Sequence, residues 1–579
     1  MKFFFRITLT VCAAALLFSS CSKKNEEGKM IPKNAMFVVH LNTKSLKEKL
    51  TWDDIKQSNW YSQGLKYYQE NYHVTSDDMK KLFSNPENSG IDLDGGLVFF
   101  VEKNAGTDGE AVLEGRVKNK KDFEQFNKTL DPTATTRTEG DLTMLTLKNK
   151  SVVAWNDQHF TYVFNSGSVK SNFNSPDDNT GAQGNTAPLV DKSVALSAVC
   201  KNLFSLTSDG SLEKNEKFTG LLGEQGDMHV WINTEEIMKS SSSFGMVGML
   251  KLDIFLKDNI STYTVNFDNG KISVKQKGYA GKEFTDFLKK YSGGNINPDM
   301  IKTIPSQNVF AVFAMNFKPE GIKELIKLTG MDGVLNTFIA QPGFNLDDFV
   351  KANKGDITIA VTDFKMKTDT FKINIGDSTN PPIYTKPDMN YLFSVSIGDK
   401  ASFQKLIDAG KKITGQMGKG DSIVSYGQND KVFAVSNRQH FLNDYLAGNS
   451  NNKYDFMDKF SAHPVNIFID IHKILTTLSA EKKSNPDDES IMNESLKLWN
   501  NIYITGGDME KDAITGNTEI NFIDQNVNSL KQLNHYFDEI AKVEMAKKER
   551  QKSQMRTDSL MIPPPPVDIP APVDTVPHK

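Results

Sequence analysis

Four times along the chain a short apolar run ends in Asn or Asp and gives way to helical spacing: "VVHLNTKSL" from Val38, "VWINTEEIM" from Val230, "VFAMNFKPEGI" from Val312 and "IFIDIHKIL" from Ile467. Runs rich in β-branched and aromatic residues read as strands. An Asn or Asp after them can accept a bond from an orphan backbone N–H in a first helical turn. The pattern predicts helix caps at Asn42, Asn233, Asn316 and Asp470, and Asn233 stands at capping-box spacing from Glu236. "TMLTLKNKSVVAWNDQHFTYVF" from Thr143 and "STYTVNFDNGKISVKQKGY" from Ser261 read as hairpins, the second turning at Asp268-Asn269-Gly270. "FTDFLKKY" from Phe284 and "LKQLNHYFDEI" from Leu530 are helical in spacing, with Leu530, Leu533, Phe537 and Ile540 on one face. This order of elements predicts an α+β fold, a mainly antiparallel sheet with helices packed on one face.

The pattern also repeats at long range. "IPKNAMFVVHLNTKSLKEKL" from Ile31 parallels "IPSQNVFAVFAMNFKPEGIKELI" from Ile304, and "GIDLD" from Gly90 parallels "GFNLD" from Gly343. "RVKNKKDFEQF" from Arg116 parallels "SIGDKASFQKL" from Ser396, and "NDQHF" from Asn156 parallels "NRQHF" from Asn437. The pairs keep their order, at offsets of 273, 253, 280 and 281 residues. Duplication accounts for this, and predicts two tandem related halves, residues 30–298 and 299–545, packed side by side. Turn-rich loops are expected from Asn174 and Gly376, and an acidic loop, "KSNPDDES", from Lys483. Residues 546–579 pass from a charged segment into "IPPPPVDIPAPVDTVPHK", whose prolines favour extended chain, and read as a disordered tail.

The N-terminus has a different pattern. Lys2 and Arg6 precede an apolar core from Ile7 to Phe18, then Ser19, Ser20 and Cys21, the order of a secretory signal. A dozen apolar residues are too few for a permanent span, which takes roughly 20. Small residues just before a cysteine resemble the lipobox of bacterial lipoproteins. That resemblance implies cleavage between Ser20 and Cys21, so that 1–20 is the signal peptide, and a diacylglycerol and palmitate anchor on the Cys21 thiol. Residues 21–29 then read as a flexible tether. From the Ile-Pro-Lys-Asn-Ala opening and the strand-Asn-helix units, the chain resembles an uncharacterised family, a domain of unknown function, among large secreted lipoproteins of Bacteroides-type bacteria. The resemblance implies export and a two-part α+β body, and brings no catalytic residues.

Composition narrows the function. Cleavage takes Lys2 and Arg6 from the 68 basic residues, leaving 66 against 72 acidic, a formal charge of −6. That balance gives nucleic acid no basic face to bind. Of three cysteines, Cys12 leaves with the signal and Cys21 takes lipid, so Cys200 has no disulfide partner and reads as a small core hydrophobe. No HExxH, paired CxxC, GxSxG, SxxK or Walker spacing occurs, so no metal, cofactor or catalytic residue is assigned. "GIDLDGG" fails the EF-hand template, because Gly90 would stand at position 1 and Val101 at position 12. His159 and His440 share the "NDQHF" and "NRQHF" contexts, but Asp157 beside one becomes Arg438 beside the other, which argues for turn or strand-end histidines.

Aromatic residues give the one generic binding signal. "TWDDIKQSNWYSQGLKYYQENY" from Thr51 collects Trp52, Trp60, Tyr61, Tyr67, Tyr68 and Tyr72. Trp52, Trp60, Tyr67 and Tyr68 are the candidate ligand contacts, as a platform for sugar or protein; core packing is the competing reading. The expectation is a lipid-anchored cell-envelope protein, at the outer membrane, that binds or scaffolds an envelope protein or glycan. The alternatives are a glycan-binding component of a nutrient-uptake system and a hydrolase with dispersed carboxylates.

Overall fold

A computed structural model describes residues 27–72, 85–103, 109–147, 151–165, 193–240, 252–331, 333, 343–370, 383–416, 424–460, 462–480 and 485–561. Ten strands come first along the chain: β1 (Phe37–Leu41), β2 (Leu97–Glu102), β3 (Glu110–Arg116), β4 (Thr135–Glu139), β5 (Leu142–Thr146), β6 (Val152–Trp155), β7 (His159–Asn165), β8 (Met228–Asn233), β9 (Ile260–Asp268) and β10 (Lys271–Tyr279). Eight follow: β11 (Val309–Asn316), β12 (Asn353–Thr370), β13 (Ile383–Ile397), β14 (Ser425–Gln428), β15 (Val432–Ser436), β16 (Val465–Asp470), β17 (Trp499–Glu510) and β18 (Ala513–Phe522).

All eighteen belong to one sheet, and every pairing is antiparallel. The centre of the sheet is the pair β10–β18, in register from Lys271↔Asn521 to Tyr279↔Ala513. Outward from β10, one wing runs β9, β8, β1, β2, β3, β7, β6, β5, β4. Outward from β18, the other runs β17, β16, β11, β12, β13, β15, β14. The two portions therefore do not pack side by side as separate bodies. A shared ladder of backbone hydrogen bonds joins them.

Helices cover both faces of the sheet, not one. β6 explains why: Val152, Val153, Ala154 and Trp155 are all fully buried. Val152 and Ala154 join the core that includes Cys200 and Leu203 of the helix Ser193–Phe204. Val153 and Trp155 point the other way, into a cluster with Phe123 of the helix Lys120–Leu130, whose ring lies 5.6 Å from Trp155. An unbroken apolar strand is the mark of burial on two sides. The second wing does the same. Phe403 of the helix Lys400–Gln416 packs on Ile397, while Leu442 and Tyr445 of the helix Gln439–Ala447 pack opposite, with Ala434.

Three of the four expected caps form. Asn42, Asn233 and Asp470 accept from the N–H groups of Ser45 (3.2 Å), Glu236 (3.2 Å) and Lys473 (2.8 Å). Asn316 does not cap a helix. Its Oδ1 accepts from Gly294 N–H at 2.8 Å and its Nδ2 donates to Asp356, because the chain runs two residues further before Pro319 starts the helix Pro319–Leu328. The backbones cross closely there: a Cβ on Gly355, at φ +96°, would lie 1.8 Å from Phe317 O. The complete capping box is Thr51 with Asp54; the backbone N–H of Asn233 goes instead to Met36 O.

Other expectations change. The acidic stretch after Asn485 is no loop: Asn485 caps the helix Pro486–Leu498, with Pro at its start and Asp487, Asp488 and Glu489 in its first turn. The segment expected as tether is already folded at Glu27–Lys29, where Gly28 is buried against Phe218. The helix Ser529–Met561 carries the charged part of the expected tail, and residues 562–579 lie outside the described residues, as do the loops from Asn174 and Gly376. On that helix Phe537 faces outward.

"NDQHF" and "NRQHF" do not correspond. Asn156 closes the turn between β6 and β7, its Oδ1 accepting from Gln158 and His159 N–H. Asn429 does this between β14 and β15, accepting from Lys431 and Val432 N–H, whereas "NRQHF" lies after β15 and opens a helix.

Candidate functional site

A groove of about 880 Å³ runs over the β10–β18 pair. Successive side chains of a strand alternate between faces, so Lys271, Ser273, Lys275 and Lys277 of β10 share one face with Thr515, Asn517 and Glu519 of β18. Thr262 and Thr264 of β9 follow in register and are buried, Thr264 beneath Glu224.

Fixed ion pairs form the walls. On one side Glu224 accepts from Lys277 Nζ and from Thr264 Oγ1 (2.6 Å). On the other Glu519 accepts from Lys271 Nζ (2.7 Å) and from Lys459 Nζ, which also lies 4.5 Å from the centre of the Tyr503 ring. Burial opposes ionisation of Glu224 and Glu519, yet the hydrogen bonds from Lys277 and Thr264, and from Lys271 and Lys459, hold both carboxyls below their usual range. Lys275 stands exposed at mid-floor opposite Asn517. The groove offers ammonium and carboxylate groups at set spacings, with hydroxyl and amide groups between them. That chemistry is complementary to a polar group bearing both charges.

Behind Glu224 lies a buried polar cluster. His229 Nε2 lies 2.9 Å from Glu224 O, an acceptor, so Nε2 carries a proton. In the neutral ring Nδ1 is then an acceptor, and the 3.1 Å contact to His40 Nδ1 places a proton on the latter. Burial, then the His229 charge, lowers His40 to about 4; burial also lowers His229. Beyond His40 are Glu27, with Oε2 3.6 Å from Nε2, and Glu114, pushed up to about 8 by burial and by the Glu27 charge. Burial likewise raises Glu27, against the pull of Arg116. Gly96, at φ +77°, leaves room for His40, since a Cβ there would lie 2.8 Å from Nε2. A cavity of about 30 Å³ separates Glu27, Glu114, Arg116 and His159.

The residues singled out from sequence lie elsewhere. Ser20 and Cys21 are outside the described residues. Trp52 and Trp60 flank Tyr61, with ring centres 5.2 and 6.1 Å away, and Trp60 Nε1 donates to Asn534 Oδ1 at 3.0 Å. Asn59 and Gln63 also bond to the C-terminal helix, at Asp538 and Ala541, so the helix Asn59–Tyr72 docks there. Tyr67 and Tyr68 belong to that helix, and their side chains lie outside the described residues. His159 opens β7 at the edge of the buried cluster, and His440 sits in the first turn of the helix Gln439–Ala447. Cys200 is buried, its thiol pushed up to about 12 by burial. Among the described residues no three His, Cys, Asp or Glu side chains are placed to hold a metal, and no helix is long and apolar enough to cross a membrane.

Sequence reading passed over His40, His229, Glu114, Glu224, Lys277, Lys459 and Glu519. The two histidines did leave a signal. Each stands two residues from an inward apolar partner, Val38 or Trp231, on a strand whose inward positions are otherwise hydrophobic.

No curated protein and no solved structure matches the chain. Residues 28–178, which hold β1–β7 and the His40 and Glu114 side of the buried cluster, match the family described as Domain of unknown function (DUF4836).

Proposed function

We propose that this chain is a lipid-anchored cell-envelope protein, held in the outer membrane through Cys21 after removal of residues 1–20, that works by binding and not by catalysis. The observation that carries this reading is how near to Cys21 along the chain buried residues already stand. Gly28 and Ile31 are buried, and Ile31 is clasped by Leu212 N–H donating to its carbonyl. Six residue steps separate Cys21 from Glu27, about 20 Å when extended. An acyl chain on Cys21 would hold the body close to the bilayer surface. The likeness of the Ile31–Ala35 opening to lipoproteins of Bacteroides-type bacteria supports the same reading.

The body is two tandem related halves, 30–298 and 299–545. The common strand order of the wings supports this, as do matched details. Lys120 pairs with Asp157 at 2.8 Å and Lys400 with Asp430 at 2.7 Å, each tying a helix start to the turn before β7 or β15. The groove between the halves is the binding surface, and an envelope protein presenting charges of both signs suits it. Replacing Cys21 by Ala tests the anchor: labelled palmitate is no longer incorporated and the protein leaves the membrane fraction. A Cys21→Ala protein that stays labelled and membrane-bound overturns the proposal.

A further inference from the structure

The two outer edges of the sheet are unlike. One is β4, whose Arg137 and Glu139 pair with each other at 2.5 Å, with Lys201 also 2.5 Å from Glu139. Charge along an edge strand discourages further pairing. The other is β14, Ser425-Tyr426-Gly427-Gln428, which has no charged residue and pairs only with β15 among the described residues.

β14 and β6 hold the same place counted outward from β10–β18, and their hydrogen bonding matches. Asn429 N–H donates to Val432 O, as Asn156 N–H donates to His159 O. Bonded residues alternate along an antiparallel pair. Gly427 and Ser425 are thus turned to β15, and the backbone groups of Tyr426 and Gln428 point to the open side. On β6 the residues in these places, Val153 and Trp155, are paired by β5, at Leu145 and Thr143. The first wing therefore displays what such an edge accepts: an antiparallel strand, here Leu142-Thr143-Met144-Leu145-Thr146.

Among the described residues no strand of the second wing fills that place. Residues 131–151, twenty-one in all, lie between the helix Lys120–Leu130 and β6, and β4 with β5 occupies 135–146. Only eight, 417–424, lie between the helix Lys400–Gln416 and β14. The flanking surface is also bare. Across one face run Tyr426, Val435, Phe393 and Ile359 in cross-strand register, with Tyr391 beside them. Tyr426 is 54% exposed, Tyr391 49%, Ile359 41% and Phe393 39%. In the first wing Val153 and Tyr162 hold the first two of these places and are buried.

We propose that β14 is a docking edge for an extended segment of a partner polypeptide, which adds as an antiparallel strand and sets an apolar side chain beside Tyr426, at the rim of the bare surface that continues through Val435 to Phe393. The segment resembles β5: uncharged and rich in large apolar residues, with one such as Leu145 at the place opposite Tyr426. This site is separate from the groove and does not depend on the lipid anchor.

The test uses the mature full-length chain and a fluorescent synthetic peptide of residues 135–147, which carries the strand that fills the equivalent edge. Anisotropy should show saturable micromolar binding, and a peptide of scrambled order should not bind. Gln428→Pro removes an outward N–H that no internal bond uses, so it should keep the fold and weaken binding by about tenfold or more. Tyr426→Lys, which leaves the backbone intact, should do the same and serves if the proline variant fails to fold. Absence of saturable binding overturns the proposal, as does binding unchanged in both variants. So does a dimer of the free chain that either variant dissociates, because a second copy would then hold the edge.

Discussion

Lys277 and Glu519 hold the same position on opposite sides of the central strand pair. Lys277 stands across from Thr262, and Thr262 from Trp231; Glu519 stands across from Tyr503, and Tyr503 from Phe468. Each is bonded by a residue from the chain that leads into the next strand, Glu224 before β8 and Lys459 before β16. The ion pair is kept and its signs are exchanged.

Glu519→Lys therefore gathers a new lysine with Lys271 and Lys459, and should destabilise the fold by about 1 kcal/mol, since these groups are partly exposed and screened. Adding Lys459→Glu should recover part of that loss. Denaturant melts of the two single variants and the double variant give the coupling energy; strict additivity would show that the contact contributes nothing.

Stability should depend on pH through His40, Glu114 and Glu102. His40 is lowered to about 4 from 6.5, so the unfolded chain binds the extra proton between these values and stability is lost as pH falls from 6.5 to 4. Glu114 is raised to about 8 from 4.5, and Glu102 to about 7 by burial and by Glu110 across the ladder, so the folded chain holds those protons and stability is lost as pH rises above 4.5. The terms oppose each other between 4.5 and 6.5. Above 6.5 only the carboxyls act, and melting temperature should drop towards pH 8. Glu114→Gln should flatten that alkaline limb, a difference on the order of a few kcal/mol by pH 8. A variant with an unchanged slope would mean that Glu114 is ionised in the fold.

Asp227 joins three elements and should be the costliest single acid to remove. Nearly fully buried, it accepts from Ser45 Oγ at 2.6 Å, Lys49 Nζ at 2.5 Å and Phe267 N–H at 2.6 Å. Asp227→Ala leaves a half-buried ammonium without its carboxylate and should cost about 3 kcal/mol. Asn42→Ala, which removes a cap on the same helix, should cost about 1 kcal/mol. Chemical denaturation of both variants checks the ranking.

Residues 299–545 expressed alone should unfold cooperatively, because β11–β18 keep their own core around Val312, Phe441 and Phe468. The fragment leaves β18 without β10 and so exposes nine residues of unpaired edge. Sedimentation should show concentration-dependent association, and a monomer at all concentrations would mean that β18 does not offer its edge.

Much of the local structure was legible. Asn42, Asn233 and Asp470 marked helix starts because a cap is a short-range bond, and Asn269-Gly270 marked its hairpin because the turn needs a residue at positive φ, as Gly270 has at 67°. The joining of the wings was not, since Lys271 and Asn521 meet across 250 residues through backbone groups that every residue has. Side-chain letters misled at "NDQHF" and "NRQHF": the residue placed and bonded like Asn156 is Asn429, whose neighbours share its bonding but not its spelling. The groove was invisible for the same reason. Glu224, Lys277 and Glu519 look like ordinary surface charges until the ladder sets them in a row.

The floor of the groove is a ladder in unbroken register from β9 through β10 to β18, continued by β17 with bulges near its two ends. A hinge between its walls would have to break backbone bonds along a whole strand, so the walls cannot close like jaws. If the groove binds as proposed, selectivity would come from fixed distances, as in a gauge: a molecule whose charges match the span from Glu224 to Lys459 would fit, and a shorter or longer one would not.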